Sequence, residues 1–255
     1  MRQVYCEHIN HWYIIYFNDT MFSKNSYKIF FKRSVNLKAY KLYLIRHGLT
    51  KANEDGRYIG TTDIPLSDEG KEKIISLKEN YEYPKVQKVY TSPLARAVQT
   101  ANLIYPDNYT VNVDSLREYS FGEFENRSIE DLAKDPTYIQ WVREGMITPP
   151  NGGESKEQFA QRIFSGFNNL LIDMMKEVVT SVAVICHSGI ISALLARYGL
   201  PRRSPTDWNI KPGEGYCLLT SVQMWTKDQL FEVCDTIPYG KQEYNSASYH
   251  NLKLD

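Results

Sequence analysis

Four side chains that suit a phosphoryl group stand at separate points of the sequence: Arg46, His47, Arg96 and His187. A guanidinium can bind two oxygens of a phosphoryl group at once. An imidazole can act as a nucleophile or as a proton donor. Brought together, these four side chains would bind a phosphoryl group and transfer it.

The elements that must position these side chains are predicted strands of an α/β domain. Apolar stretches at residues 41–45, 85–91 and 181–186 read as strands, with a weaker one at 110–113, and helical stretches lie between them. This order predicts a largely parallel sheet. Because ligands bind outside the carboxyl ends of such strands, we expect the four side chains to converge there.

The helices between the strands carry recognisable start signals. A helix begins after Ser67 and extends towards Asn80, and Pro93 stands near the first turn of the next one. Ser155 and Gln158 fit a capping box. The helix that follows has an apolar stripe that we assign to the core, formed by Phe159, Ile163, Phe167, Leu170, Leu171, Met174 and Met175.

A phosphoryl transfer also needs an acid for the leaving group, and the best placed carboxyl group is Glu118. It lies in the stretch LREYSFGEFE, after the weak strand. Glu123 and Glu125 compete with it, because nothing local distinguishes the three. Each cation also has a structural alternative, since a strand-terminal arginine is often a salt-bridge partner and a histidine after a buried strand is often a hydrogen-bonded core residue.

The charge and cysteine content of the chain limit the partners and the location that we expect. The chain has 255 residues, with 30 basic and 30 acidic side chains and no net charge, so neither a nucleic acid nor an anionic membrane is expected as a partner. The four cysteines form no C-x-x-C pair, which favours a reduced, cytoplasmic location. The longest apolar run near the start, residues 12–17, is too short to span a bilayer and is not typical of a signal peptide.

Residues 1–40 differ from the rest of the chain. They hold six basic and two acidic side chains and ten of the 33 aromatic ones, with no clean helical or strand period. We interpret them as an amino-terminal extension of unknown role, either an added contact element or extra sequence ahead of the domain. A single catalytic domain is expected at 41–255, with a polar, loose tail from about residue 239.

Four blocks of sequence resemble the histidine phosphatase superfamily, which has the phosphoglycerate-mutase-like fold. Together they cover roughly residues 41–225. Two departures from the usual pattern are Asn126 in the third block and Ser188 in the last, where glycine is common. The blocks are Arg46-His47-Gly48-x-Thr50-x-x-Asn53 with its continuation to Gly70, Ser92-Pro93-Leu94-x-Arg96-Ala97-x-Gln99-Thr100-Ala101, Leu116-x-Glu118-x-x-Phe121-Gly122-x-Phe124-Glu125, and His187-x-Gly189.

The resemblance implies a fold and a set of roles. The fold is a three-layer sandwich with a mostly parallel central sheet flanked by helices. His47 would be the nucleophile, while Arg46, Arg96 and a protonated His187 would hold the phosphoryl oxygens. In the register of the family, Glu118 is the proton donor and later the general base.

Two further side chains are candidate phosphate ligands. Asn53 would add a neutral donor, although it also reads as a turn residue. Ser188 is either an extra hydrogen-bond donor or a tolerated small residue. The resemblance implies neither a metal ion nor a cofactor, and His8, His11 and His250 form no convincing metal-ligand set.

The function implied is that of a phosphomonoesterase, which hydrolyses a small phosphorylated metabolite through a phosphohistidine intermediate. The block around Glu118 looks like that of the small-molecule phosphatases, including the α-ribazole phosphatase group. Two alternatives stay open: a bisphosphoglycerate-primed phosphoglycerate mutase, and a protein that binds a phosphate ligand without turnover. The substrate and the oligomeric state are undetermined by the sequence.

A predicted cap over the site spans residues 114–155. It is rich in aromatic side chains that either stack on a substrate ring or pack on one another, and we favour packing for most of them. They are Tyr119, Phe121, Phe124, Tyr138 and Trp141.

Overall fold

The computed structural model of the chain describes residues 2–8, 11–17 and 38–241. The chain divides into two units, Met1–Asn36 and Leu37–Asp255. In the first unit, strands β1 (Arg2–His8) and β2 (His11–Phe17) pair antiparallel, although no strand period was recognised in the sequence there. None of the helices in the described ranges combines the length and the apolar character that crossing a membrane requires.

The second unit alternates strands and helices, as expected for an α/β domain. Its helices are α1 (Lys51–Glu54), α2 (Asp68–Asn80), α3 (Ala95–Ile104), α4 (Ile129–Leu132), α5 (Pro136–Arg143), α6 (Lys156–Glu177) and α7 (Ser188–Tyr198). Its strands are β3 (Ala39–Arg46), β4 (Tyr81–Glu82), β5 (Lys88–Thr91), β6 (Thr110–Asn112), β7 (Ser181–Cys186), β8 (Gly199–Leu200), β9 (Gly215–Ser221), β10 (Phe231–Ile237) and β11 (Tyr239–Gly240).

Seven strands form the central sheet, in the order β6-β5-β7-β3-β9-β10-β8. Neighbouring strands from β6 to β3 are parallel, and β10 pairs parallel with β8. Strand β9 pairs antiparallel with both of its neighbours. The mostly parallel sheet predicted from the sequence is therefore confirmed.

Helices cover both faces of this sheet, which gives the predicted three layers. Leu42 and Leu44 point to one face and pack with Phe167 of α6. Tyr43 and Ile45 point to the other and belong to the cluster of α2 and α3. A strand buried on both faces explains why residues 41–45 are apolar without alternation.

The sequence-based boundaries agree closely with these elements. Strand β7 has the predicted bounds, and α2 begins after Ser67, whose hydroxyl accepts a hydrogen bond from the amide of Gly70. The capping box at the start of α6 forms, with Ser155 and Gln158 bonded reciprocally. The predicted strand at 85–91 is shorter, because pairing of β5 with β7 begins at Lys88.

The predicted cap contains little regular structure. Between residues 114 and 155 there are two 3₁₀ turns, Asp114–Leu116 and Gly122–Phe124, and the short helices α4 and α5. Their aromatic side chains contact one another, with ring centroids of Phe124 and Trp141 5.2 Å apart and those of Tyr119 and Phe121 4.9 Å apart. Packing was thus the correct interpretation for this cluster.

The loose tail was expected from residue 239. That prediction is wrong for Tyr239 and Gly240, because β11 pairs antiparallel with β4. Residues 242–255 lie outside the described residues.

Candidate active site

His47 directly follows the central strand β3, and the neighbouring strand fixes its backbone. Its amide donates to the carbonyl of Cys186, 2.9 Å away. Its Nδ1 atom lies 2.7 Å from the carbonyl oxygen of Gly48. Because a carbonyl can only accept, Nδ1 carries the hydrogen and Nε2 keeps its lone pair. These two contacts fix the backbone of His47 and one tautomer of its imidazole.

Burial and positive neighbours keep this imidazole uncharged. They lower the pKa of His47 to about 3, chiefly through loss of hydration and then through the charges of Arg96 and Arg46. At neutral pH the ring is therefore a base with a free nitrogen. This is the form that a nucleophile needs.

His187 stands between β7 and α7 and is fully buried. Its Nε2 lies 2.8 Å from the hydroxyl of Ser92, which follows β5. Its ring centroid is 5.0 Å from that of His47. The two imidazoles and Ser92 thus follow three adjacent parallel strands, at their carboxyl ends.

The surroundings of His187 act on its charge state. Burial first, and then the proximity of His47 and Arg96, lower its pKa well below the ordinary value. The protein's own groups therefore favour a neutral ring, and the protonated His187 that the resemblance implied stays a prediction. A neutral His187 still donates one hydrogen bond: if Ser92 donates to Nε2, the hydrogen is on Nδ1.

Arg96 projects from the first turn of α3 and is almost completely buried. Its terminal nitrogens donate to two backbone carbonyls, Nη1 to Thr62 at 2.9 Å and Nη2 to Gly60 at 2.6 Å. Arg46, at the end of β3, donates through Nη1 to the carbonyl of Ile210 at 2.8 Å. Both guanidinium groups are therefore oriented by backbone oxygens.

Three buried nitrogens of these side chains are without a protein partner in the described part of the chain: Nε of Arg46, Nε of Arg96 and Nδ1 of His187. A buried polar atom without a partner is costly, so each such atom calls for an explanation. Three of them on residues predicted to hold one anion have a common explanation. The arrangement can bind the oxygens of a phosphoryl group.

Glu118 reaches the same place from the predicted cap and is buried. Its oxygens accept from two backbone amides, Oε1 from Tyr119 at 3.0 Å and Oε2 from Gly189 at 3.0 Å. Loss of hydration nevertheless raises the pKa of this carboxyl, with the two amides and Arg96 acting in the opposite direction. A carboxyl with a raised pKa suits a proton donor.

Gly189 makes this approach possible. A Cβ atom at that position would lie 2.5 Å from Oε1 of Glu118, closer than such atoms come. The glycine of His187-x-Gly189 thus allows the carboxylate to lie against the start of α7.

The competing acids occupy different environments. Glu123 is exposed. Glu125 accepts from the amides and hydroxyls of Thr61 and Thr62 and from the amide of Phe121. Burial alone would raise the pKa of Glu125, but the bonds from Thr61 and Thr62 outweigh it, so the pKa is lowered. It therefore holds the loop whose carbonyls orient Arg96 and is poorly suited to donate a proton.

Asn53 and Ser188 lie beside these residues in sequence. Asn53 completes a capping box with Thr50 at the start of α1, accepting from the amide of Thr50 at 3.3 Å. Asn53 thus caps the start of a helix, whereas the sequence-based alternative was a turn residue. Ser188 is half-buried at the first position of α7, and its hydroxyl has no hydrogen-bond partner among the described residues.

Sequence reasoning missed two side chains that hold the segment around Glu118. Arg162 of α6 donates to backbone carbonyls of that segment, and Glu154 pairs with Arg162. Neither stands next to a predicted site residue in the sequence. Only the packing of α6 against the segment reveals them.

Comparison with known proteins gives the family. The model of the histidine phosphatase superfamily (branch 1) matches residues 42–232. The chain belongs to the histidine phosphatase superfamily. With its phosphatase relatives, this membership identifies it as a phosphoric monoester hydrolase that acts on small phosphate esters.

Relatives of this histidine phosphatase include phosphatases and a mutase. The chain is 31% identical over 182 residues, 69% of its length and 86% of the relative's, to the adenosylcobalamin/alpha-ribazole phosphatase of Escherichia coli K12. It is 31% identical over 162 residues, 60% of its length and 73% of the relative's, to a 2,3-bisphosphoglycerate-dependent phosphoglycerate mutase of Gloeobacter violaceus.

A solved structure gives the same picture. The alpha-ribazole phosphatase from Shigella flexneri superposes with a TM-score of 0.63 at 25% sequence identity, covering 79% of this chain and 99% of that one. The predicted phosphoglycerate-mutase-like fold is thereby confirmed.

Proposed function

We propose that this protein is a metal-independent phosphomonoesterase that acts on a small phosphorylated metabolite through a phosphohistidine on His47. The observation that carries the proposal is the set of three buried nitrogens, on Arg46, Arg96 and His187, that no described residue pairs with, beside an imidazole of fixed tautomer. We favour hydrolysis over a mutase reaction because a mutase must also bind a second phosphoryl acceptor in the site, whereas hydrolysis needs only water.

The first step would form a nitrogen–phosphorus bond. Nε2 of His47 attacks phosphorus, and the ester's phosphorus–oxygen bond breaks with its electron pair moving to the leaving oxygen. Glu118 gives that oxygen its proton, so the alcohol departs uncharged. The product of this step is phosphohistidine and a carboxylate on Glu118.

The second step would reverse the proton transfer. Glu118 takes a proton from a water molecule as the water oxygen attacks phosphorus. The nitrogen–phosphorus bond breaks, inorganic phosphate leaves and His47 regains its lone pair. Splitting one displacement into two is the advantage of a covalent intermediate.

The phosphoryl oxygens would be held by the unpaired donors. Nε of Arg46, Nε of Arg96 and Nδ1 of a neutral His187 supply three hydrogen bonds, and the two guanidinium charges stabilise the charge of the transferring group. We assign the side-chain amide of Asn53 and the hydroxyl of Ser188 as further donors. A bound phosphate dianion would also raise the pKa of His187, since an opposite charge favours the charged form.

The name of the Escherichia coli relative indicates the first substrate to test, an α-ribazole phosphate. The predicted cap is consistent with a small substrate, since its aromatic side chains mostly contact one another.

The experiment is phosphate release from an aryl phosphate in the presence of a chelator, by the wild type and by His47→Ala. We expect the variant to lose at least about a thousandfold in kcat. Labelled substrate and a rapid denaturing quench should trap an acid-labile phosphoprotein in the wild type and none in the variant. Circular dichroism checks that the variant is folded.

Four outcomes would contradict the proposal. Turnover that the chelator abolishes would exclude metal independence, and an undiminished rate in His47→Ala would exclude the phosphohistidine. Absence of hydrolysis, together with interconversion of phosphoglycerates that depends on a bisphosphoglycerate primer, would make the protein a mutase. Phosphate binding without either activity would leave a binding protein.

A further inference from the structure

We propose that Arg162 and Glu154 are positioning residues that hold the Glu118 segment, so that its carboxyl group can protonate the leaving oxygen. The inference rests on the proposed function, which makes Glu118 the proton donor. Neither side chain belongs to the motifs that identify the family in this sequence. The two residues are called the Arg162–Glu154 clamp below.

The clamp contacts the backbone on both sides of Glu118. Arg162 donates through Nη1 to the carbonyls of Ser115 at 2.9 Å and Arg117 at 2.8 Å, and through Nη2 to that of Glu118 at 3.3 Å. Glu154 accepts through Oε1 from the amide of Ser120 at 3.0 Å. The backbone from residue 115 to residue 120 is thus bonded to a single ion pair.

Within the clamp, Arg162 has no donor left over. Its Nε lies 3.2 Å from Oε2 of Glu154, and its Nη2 lies 2.5 Å from Oε1. Together with the three carbonyls, these contacts use all five of its N–H groups. The guanidinium therefore cannot also bind a substrate, which distinguishes Arg162 from Arg46 and Arg96. Arg162 therefore supports the backbone around Glu118 and does not contact the reacting atoms.

Helix α6 comes unusually close to this segment. A Cβ atom on Gly166, one turn after Arg162, would lie 1.8 Å from the hydroxyl oxygen of Ser115. The glycine lets the helix approach the 3₁₀ turn Asp114–Leu116, and Arg162 then reaches the carbonyls that follow it. The close approach of α6 at Gly166 and the contacts of the clamp thus belong to one packing arrangement.

Glu118 needs such support because its own backbone is irregular. Residues 117–121 belong to neither a helix nor a strand. Backbone carbonyls that are removed from water and lack a partner in a helix or strand must find other donors, and here the side chain of Arg162 supplies them. Without the clamp, the amides of Tyr119 and Gly189 would have to hold the carboxylate alone. We expect the carboxyl group then to lose its alignment with the leaving oxygen.

The test compares two substrates that differ in their need for an acid. An alkyl phosphate has a poor leaving group and needs a proton, whereas the phenolate of 2,4-dinitrophenyl phosphate leaves without one. For Arg162→Gln we expect kcat/KM on the alkyl ester to fall about a hundredfold, within the range that general acid catalysis contributes. This constant reports the formation of phosphohistidine and does not include the later attack of water, in which Glu118 acts as the base. On the dinitrophenyl ester we expect less than about a threefold change in kcat/KM, and inhibition by inorganic phosphate should be unchanged.

Three variants complete the design. Arg117→Gln is the charge-matched control: it lies beside Glu118, but its side chain pairs with Asp114, so both rates should stay near those of the wild type. Glu154→Gln tests the clamp again from the other partner, in case Arg162→Gln does not fold. Glu118→Gln tests the proposed function and should itself lose kcat/KM selectively on the alkyl ester.

The outcomes separate the two proposals. If Glu118→Gln is selective in kcat/KM, and Arg162→Gln either lowers kcat/KM equally on both esters or changes it on neither, the clamp has no positioning role. If Glu118→Gln is not selective, Glu118 is not the acid and the proposed function fails at that residue. Selective loss in both variants supports both proposals.

Discussion

Two regions meet at the candidate active site, and they hold the side chains proposed to act there in different ways. At the carboxyl end of the sheet, backbone hydrogen bonds between strands place His47 and Ser92, whose amides donate to the carbonyls of Cys186 and Ile185 at 2.9 Å each. In the segment from 114 to 154, side chains do this work, with Arg162 and Glu154 bonded to the backbone around Glu118.

The difference shows where each region is sensitive to substitution. A strand ladder consists of many repeated bonds, so no single side chain is responsible for the position of His47. The position of Glu118 depends on a few side chains and on close contacts that a glycine permits. We therefore expect substitutions in the segment to impair one catalytic step while the fold persists.

The strongest way to break this arrangement is Gly189→Ala, at the contact between the two regions. The new methyl group would displace the carboxylate of Glu118, because it would lie 2.5 Å from Oε1. We expect kcat on an alkyl phosphate to fall about a hundredfold. Alanine is a better helix former than glycine, so thermal stability should not fall for reasons of helix propensity.

A double-variant cycle provides the control for Gly189→Ala. In the background of Glu118→Gln, the added methyl group should cost little further activity, since the acid is already absent. Full additivity of the two losses would mean that the methyl group acts elsewhere.

A smaller effect is expected for Glu125→Gln, which weakens the support of Arg96. An amide has one acceptor oxygen in place of the two that bond to Thr61 and Thr62. Losing hydrogen bonds to a charged acceptor costs about 2 kcal/mol, so binding of inorganic phosphate should weaken roughly tenfold or more. Measured inhibition constants check this, and Glu123→Gln, at an exposed neighbour, should leave them unchanged.

The pH dependence separates the two regions in the wild type. Because the pKa of Glu118 is raised, its carboxyl group stays protonated up to a higher pH than usual. We expect kcat/KM on an alkyl phosphate to fall as pH increases through that pKa. One unit above it, about a tenth of the carboxyl groups remain protonated, giving roughly a tenfold loss. The dinitrophenyl ester should show no such decrease. A shared decrease would assign the titration to another group.

The smallest effect on catalysis is expected from core substitutions. Phe167→Ala, between α6 and the sheet, should lower the free energy of unfolding by about 3–5 kcal/mol and leave the ratio of rates on the two esters unchanged. Trp141→Ala, in the aromatic cluster of the segment, should change that ratio by about threefold through local loosening. Denaturant titration and the two-substrate assay check both, and a changed ratio in Phe167→Ala would contradict the division into regions.

Much of the fold was predictable because its signals are local. Strand β7 and the start of α6 follow from β-branched residues and a capping box, which act within a few positions along the chain. The convergence of Arg46, His47 and His187 was predictable as well, since residues at the carboxyl ends of parallel strands share one edge of a sheet.

What only the tertiary structure decided concerns contacts between residues distant in sequence. Glu118, Glu123 and Glu125 are the same residue type, so the sequence does not show which of them is buried beside Gly189. That burial raises the pKa of the Glu118 carboxyl. The lowered pKa of His187 likewise depends on lost hydration and on the nearby His47 and arginines, which only the fold brings together. The Arg162–Glu154 clamp exists because α6 packs against the segment, and no short-range pattern records that packing. Local sequence determines elements and their ends, whereas desolvation and long-range hydrogen bonds determine the chemistry at the site.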